Sequence, residues 1–187
     1  LRQEGYGGGA EMKPTAIDLF CGCGGFSLGV IQAGFNVVCG VDSDPQALMT
    51  YYANLAAPDC KWVGEKPKKR GKELTLPRNE WASWEKTVKV VICQDIREVF
   101  GWDILELCGL EEVDCVIGSP PCGSFSSSGR RKIGDERDYL VFEFARLAEE
   151  LRAKSLVMEN VPALLSKKLP SGAKVINVLT RYLKRDY

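Results

Sequence analysis

The sequence contains no histidine, which excludes every mechanism that moves a proton through imidazole and removes a common metal ligand. Its eight cysteines include no C-x-x-C pair, so nothing matches the spacing of a zinc site. They read instead as reduced thiols of a cytosolic or nuclear compartment. No apolar run approaches the roughly 20 residues that span a bilayer, and the polar, glycine-rich start lacks the pattern of a secretory signal. Nor is there a net charge: the formal total is zero, so any affinity for nucleic acid has to be local. An initiating methionine is missing too, and Leu1 in its place reads as a trimmed chain or a piece of a longer polypeptide.

What remains is ordinary globular composition in 187 residues, enough for one domain with a sizeable core. Residues Leu1 to Pro14, with Gly7-Gly8-Gly9, read as a flexible leader. Thr15-Ala16-Ile17-Asp18-Leu19-Phe20 is predicted as a first strand that runs into Cys21-Gly22-Cys23-Gly24-Gly25. Those glycines allow a sharp turn and a close approach of ligand to backbone. The following helix, about Phe26 to Ala33, would aim free N–H groups at that ligand. Asn36 to Val41 reads as a second strand ending on Asp42, with Asp44 and Pro45 opening a helix to about Asn54. A carboxylate at the end of a second strand, about 20 residues past a glycine turn, suits a ribose. It could equally cap a helix, and for Asp44 the cap is the preferred reading.

Residues 57–86 break this alternation and read as a basic insertion. Between 61 and 72 they hold Lys61, Lys66, Lys68, Lys69, Arg70 and Lys72 against Glu65, and Trp81 and Trp84 follow. Such a run could touch a phosphate backbone or could simply be a solvated loop. Lys89 to Cys93 is the third strand, ending in Gln94-Asp95-Ile96-Arg97. Asp95 and Ile96 could flank an adenine ring, or Asp95 could cap a turn. A helical segment near Trp102 to Leu107 precedes a fourth strand, Val113 to Ile117. Glu136 to Arg152 is an amphipathic helix with Leu140, Phe144, Leu147 and Leu151 on its core face, and Ser155 to Met158 is the fifth strand. A last helix covers about Ala173 to Leu183.

The fourth strand leads into Gly118-Ser119-Pro120-Pro121-Cys122-Gly123, where two prolines that cannot donate to a ladder stop the sheet and leave a thiol at its carboxyl edge. Taken alone, this stretch is better explained by a structural cysteine in a tight turn. Two other strand tips share the edge: the glycine turn with Asp42, and Glu159-Asn160-Val161.

Together these stretches resemble the C5-cytosine DNA methyltransferases. Asp18-Leu19-Phe20-Cys21-Gly22-Cys23-Gly24-Gly25-Phe26 is similar to that family's first cofactor motif, Pro120-Pro121-Cys122 to its nucleophile motif, and Glu159-Asn160-Val161 to its catalytic glutamate motif. The resemblance implies an α/β, Rossmann-like S-adenosylmethionine-dependent methyltransferase fold, incomplete at the C-terminus, in residues 15–187. It implies a methyl donor, S-adenosyl-L-methionine, held by Asp18, Phe20, Gly22, Gly24, Gly25, Asp42, Asp95, Ile96 and Pro120. It implies Cys122 as a nucleophile on C6 of cytosine, which makes the poorly reactive C5 enamine-like. Glu159, protonated through partial burial in a closed site, would hydrogen-bond N3. Duplex DNA is the implied partner, with base flipping and a closing loop in which Ser124, Ser126, Arg130, Arg131 and Lys132 meet phosphates.

Two departures from the family pattern stand out. Gly123 replaces the glutamine that usually follows the nucleophile, and the chain stops at Tyr187. The family's arginine motif, target-recognition region and last cofactor-closing helix are therefore expected from a C-terminal half, either of the same protein or in a second subunit. The resemblance implies the cytoplasm of a prokaryote or the nucleus of a eukaryote, in a restriction-modification or epigenetic setting. A tRNA-methylating branch with similar motifs and a catalytically silent regulatory homologue remain alternatives. A dinucleotide-dependent oxidoreductase would share the glycine turn and Asp42 but has no use for Pro-Pro-Cys.

Overall fold

The computed structural model describes residues 12–69, 72–73, 75–80, 82–121 and 136–184. In chain order its elements are β1 (Thr15–Leu19), α1 (Gly25–Gln32), β2 (Asn36–Asp42), α2 (Pro45–Leu55), β3 (Ala56–Gly64), β4 (Lys68–Lys69), β5 (Lys72–Glu73), β6 (Val88–Cys93), α3 (Gly101–Cys108), β7 (Cys115–Gly118), α4 (Leu140–Glu150), β8 (Ser155–Met158) and α5 (Val175–Leu183). Short 3₁₀ turns occupy Ile96–Glu98, Glu136–Tyr139 and Pro162–Ser166.

Six strands form one parallel sheet in the order β3-β6-β2-β1-β7-β8. Helices cover both faces, so the inner strands β1, β2 and β7 are buried almost throughout and read as continuous apolar runs. On one face Ile31, Leu48, Tyr51 and Leu55 of α1 and α2 pack on Val37, Val91 and Ile117. On the other, Ile104 and Leu105 of α3 and Phe144, Leu147 and Leu151 of α4 pack on Ile17, Leu19, Ile92 and Val116. Val175 and Leu179 of α5 close against Val141 and Ala145 of α4. All five expected strands are present, and Phe144, Leu147 and Leu151 of the expected apolar stripe are core, whereas Leu140 is half-buried and lines the cleft. The expected helix from Glu136 begins instead as a 3₁₀ turn and becomes α-helical at Leu140.

The region 57–86 departs from the expectation of a solvated loop. Its first part is β3, which pairs parallel with β6 from Lys61↔Val90 to Gly64↔Cys93. Pro58 and Asp59 sit within the register shift between Ala56 and Lys61, where a missing ladder donor is tolerated. The later part is fastened by Arg78. Its guanidinium donates to the carbonyls of Ala56 (3.1 Å), Ala57 (2.7 Å) and Pro58 (3.2 Å) and to the Tyr52 hydroxyl (2.7 Å). It also lies 4.7 Å from the Tyr52 ring centroid. Trp84 donates its Nε1–H to the Asn54 carbonyl at 2.9 Å. Arg70 and Trp81 lie outside the described residues.

At the opposite edge β8 has no outer neighbour among the described residues. Val157 is 51% exposed, whereas its register partner on β7, Ile117, is 1% exposed. Among the described residues no helix is long and apolar enough to cross a membrane.

Candidate active site

Parallel strands bring their carboxyl ends to one edge, and the connections leaving that edge form the site. The β1 tip is pinned on both sides: the Leu19 carbonyl accepts from the Ser119 N–H (3.3 Å), and the Cys21 N–H donates to the Val41 carbonyl (3.1 Å). Between these anchors Phe20 takes φ 62°, a left-handed conformation unusual for a bulky side chain. The strain turns Phe20 into the cleft. Gly24 then caps α1 with φ 93°, and a Cβ there would meet Leu55 Cδ1 at 2.6 Å and Tyr51 Cδ2 at 2.8 Å. Glycine is required at that position on both counts.

Asp42 closes this turn. Its Oδ2 accepts from the Gly22 N–H at 2.8 Å and its Oδ1 from the Asp44 N–H at 2.9 Å. Asp44 in turn caps α2, accepting from the Gln46 N–H at 2.8 Å with Pro45 in the first turn, as expected. Beside them the Asp95 carboxylate accepts from the Arg97 N–H and Nε at 3.0 Å each and from its Nη2 at 2.6 Å. Those hydrogen bonds hold the Asp95 carboxyl below its ordinary range. Of the two expected roles of Asp95 the structure shows the cap, on the 3₁₀ turn at Ile96; the residue also lines the cleft.

The cleft is about 130 Å³ and is lined by Phe20, Val41, Asp42, Ser43, Gln94, Asp95, Ile96, Arg97, Pro121, Arg137 and Leu140. Of the residues proposed for the cofactor, Phe20, Asp42, Asp95 and Ile96 line it; Gly22, Gly24 and Gly25 form the adjoining turn. Pro120 stands next to the lining Pro121, and its carbonyl accepts from Asn160 Nδ2 at 3.0 Å. Ser43, Arg97 and Arg137 are lining residues that the motifs did not single out. Ser43 and Arg97 were findable as neighbours of strand-tip acids, while Arg137 arrives from a 3₁₀ turn far along the chain.

Asp18 sits beneath the turn rather than in the cleft. It is 1% exposed, and its Oδ2 accepts from the Ser27 hydroxyl at 2.6 Å. Ser27 has one proton to give, so the Tyr51 hydroxyl, 2.8 Å away, donates to Ser27. The Ser27 backbone also bonds to Asp18, which makes this acid a remote cap for α1, a helix with no capping side chain of its own. Burial pushes the Asp18 carboxyl up to about 7, and Oδ1 is buried with no partner among the described residues. Period-two alternation already opposes Asp18 to the Ile17 and Leu19 face, toward α1.

The Glu159 tip is held against β7: the Glu159 N–H donates to the Gly118 carbonyl at 3.0 Å, and Asn160 Oδ1 accepts from the Val161 N–H at 2.9 Å. Glu159 itself is exposed, because no described residue covers the outer side of β8. The burial expected for it is not supplied by the described part of this chain. Cys122, Ser124, Ser126, Arg130, Arg131 and Lys132 lie outside the described residues; the structure follows the chain as far as Pro121.

A family model described as C-5 cytosine-specific DNA methylase matches residues 15–79 and 75–185. The chain belongs to the C-5 cytosine-specific DNA methylase family. M.XorII, a type II methyltransferase of Xanthomonas oryzae pv. oryzae, is 32% identical over 154 residues, covering 81% of this chain and 29% of that protein. M.HgiGI, a type II methyltransferase of Herpetosiphon aurantiacus, is 34% identical over 152 residues, covering 81% of this chain and 94% of that protein. A crystal structure of a prophage-encoded protein of E. coli, described as a DNA modification methyltransferase, superimposes with a TM-score of 0.64 at 26% identity. The superposition covers 94% of this chain and 39% of that one. This methylase-family chain therefore spans less than a third of the length of M.XorII and nearly all of M.HgiGI. The mixed α/β fold with a parallel central sheet, expected from the motifs, is shared with that solved methyltransferase.

Proposed function

We propose that this chain is the catalytic part of an enzyme that methylates C5 of cytosine in DNA, with S-adenosyl-L-methionine as methyl donor. The observation that carries the reading is the cleft itself. It runs from two carboxylates, Asp42 and Asp95, past Phe20 to Pro121, the residue before Cys122.

The donor set fits an adenosine sulfonium. Carboxylates accept from ribose hydroxyls and an adenine amine, while Phe20 and Ile96 offer apolar surface to the ring. A pyrophosphate fits less well, because the Gly22 N–H at the glycine turn is already taken by Asp42. This disfavours a dinucleotide oxidoreductase. Bound there, S-adenosyl-L-methionine would supply an electrophilic methyl group. Cys122, as thiolate, adds to C6 of the flipped cytosine and makes C5 nucleophilic. Glu159 hydrogen-bonds N3 and offsets the charge that builds on the ring. Loss of the C5 proton, to water or to another base, then releases Cys122.

A C-terminal polypeptide, in the same protein or a second subunit, completes the enzyme in this reading. The open edge of β8 and the exposed Glu159 support it, since added sheet there would bury both Val157 and the glutamate.

Duplex DNA carrying 5-fluorocytosine in many sequence contexts tests the reading, because fluorine cannot leave as a proton does and the thiol stays attached. With S-adenosyl-L-methionine, a Cys122-dependent adduct on a denaturing gel is expected when the C-terminal polypeptide is present. Cofactor binding without any adduct, with or without that polypeptide, refutes the reading and favours an RNA substrate or a silent homologue.

A further inference from the structure

A second cavity, about 600 Å³, lies on the sheet face that carries α3. It shares only Gln94 with the cleft, and the 3₁₀ turn at Ile96–Glu98 stands between the two. Ile96 and Arg97 line the cleft, whereas Glu98 and Val99 line the cavity. The strand order creates it. α3 packs on β2 and β6, and β3 carries the sheet one strand, about 4.8 Å, beyond them. Val63 of β3 and its register partner Ile92 form the floor, and Ile104 and Leu107, one turn apart on α3, form a wall. Helices packed side by side stand about 8–10 Å apart, so the space beside α3 and over β3 has the width of one helix. Among the described residues no element fills it.

The rim is acidic. Glu98, Asp103 and Glu106 stand there against Lys61, and all four are exposed. Among the described residues none of the three carboxylates takes part in an ion pair. Phe100 carries apolar surface out of the cavity. It is 42% exposed and stacks on Trp102, itself 56% exposed, with ring centroids 4.9 Å apart. Three acids around an apolar floor repel a phosphate backbone and attract an amphipathic cation.

We propose that this cavity is a docking groove for a basic amphipathic helix of a partner protein. Such a helix lays apolar residues at i, i+3, i+4 and i+7 on Val63, Ile92, Ile104 and Leu107. Its flanking lysines or arginines meet Glu98, Asp103 and Glu106, and Phe100 with Trp102 extends the contact as an aromatic anchor. The groove lies at the β3 edge of the sheet, opposite the β8 edge at which the C-terminal polypeptide is placed above, so the helix belongs to a different molecule.

The probe is a synthetic leucine–lysine peptide of about 14 residues with leucines at the helical spacing. Its counterpart with glutamate for lysine and a scrambled peptide of the same composition are the controls. Fluorescence anisotropy measures each against the parent chain and E98Q/D103N/E106Q, with and without the C-terminal polypeptide. The three substituted residues are exposed and none lines the cleft, so fold and cofactor binding stay as in the parent. At low salt the lysine peptide binds the parent about tenfold more tightly than the triple variant, and the gap closes as salt rises. On the parent it slows hydrogen exchange at Lys61–Gly64 and Gly101–Cys108. Equal affinity for the two proteins, equal binding of either control peptide, or protection elsewhere overturns the docking. Self-association of the parent that the triple variant loses gives the groove to a second copy. Peptide binding abolished by the C-terminal polypeptide gives it to that polypeptide. Either result overturns the partner helix.

Discussion

Asp18 makes the stability of this fold depend on pH in an unusual direction. The carboxyl is 1% exposed, Oδ1 has no partner among the described residues, and burial pushes it from an ordinary 3.8 up to about 7. The folded protein therefore holds a proton that the unfolded chain has already released. Stability falls as pH rises wherever the native state binds more protons, so this group's contribution is intact below about pH 4 and lost by about pH 7. A rise of about three units corresponds to a loss on the order of 4 kcal/mol across that window. Asp18→Asn keeps the shape and an acceptor for Ser27 but leaves an unpartnered amide, which costs about 1–3 kcal/mol at any pH. The variant should be less stable than the parent near pH 4.5 and more stable by about 2 kcal/mol at pH 8. The two curves should cross at about pH 5.5. Urea unfolding of both proteins at half-unit pH intervals measures the difference and removes what other groups contribute. Parallel curves, with the same gap at every pH, would refute the argument that Asp18 folds in protonated.

Gly118→Ala should lower stability by about 1–3 kcal/mol, because the new Cβ would lie 2.4 Å from the Leu19 carbonyl oxygen and 2.9 Å from Phe144 Cε2. It should also displace the β7 tip, so thermal melts and adduct yield should fall together; an unchanged melt counts against the packing. Arg78→Ala removes three hydrogen bonds from the start of β3 and one from the Tyr52 hydroxyl and, the residue being exposed, should cost about 1–2 kcal/mol. Hydrogen exchange at Lys61–Gly64 should quicken more than at Val88–Cys93, and equal protection would show that β3 holds without the clamp. Cys122→Ser should abolish methyl transfer while cofactor affinity, read by calorimetry, stays within a few-fold. Loss of cofactor binding would point to a structural cysteine instead.

The order of strands and helices was legible because the inner strands are buried on both faces and so appear as unbroken apolar runs. Val37 to Val41 and Val90 to Cys93 are of this kind. β3 was not legible for the opposite reason. It is an edge strand with Pro58 and Asp59 inside it and only Ala56 and Ala57 buried, and pairing with β6 rather than its own pattern makes it a strand. The cleft acids were found from their positions, since Asp42 ends β2 and Asp95 follows the end of β6 by two residues. Their partners were not, because the Gly22 N–H on Asp42 and the bidentate Arg97 on Asp95 depend on turn geometry that a motif does not encode. Asp18 was placed in the right motif but at the wrong depth. A motif tells which residues recur together, whereas depth depends on what packs above them, here Ser27 and Tyr51.

The fastening of the insertion also bears on how such an enzyme can change. Glu65 is tied to Cys93 and Arg78 to the start of β3, so both ends of the insertion are held independently of the hairpin between them. Changes between these two anchors should leave the sheet and the cleft undisturbed. A family that keeps such anchors can therefore vary what lies between them while the strand order and the strand-tip acids stay as they are.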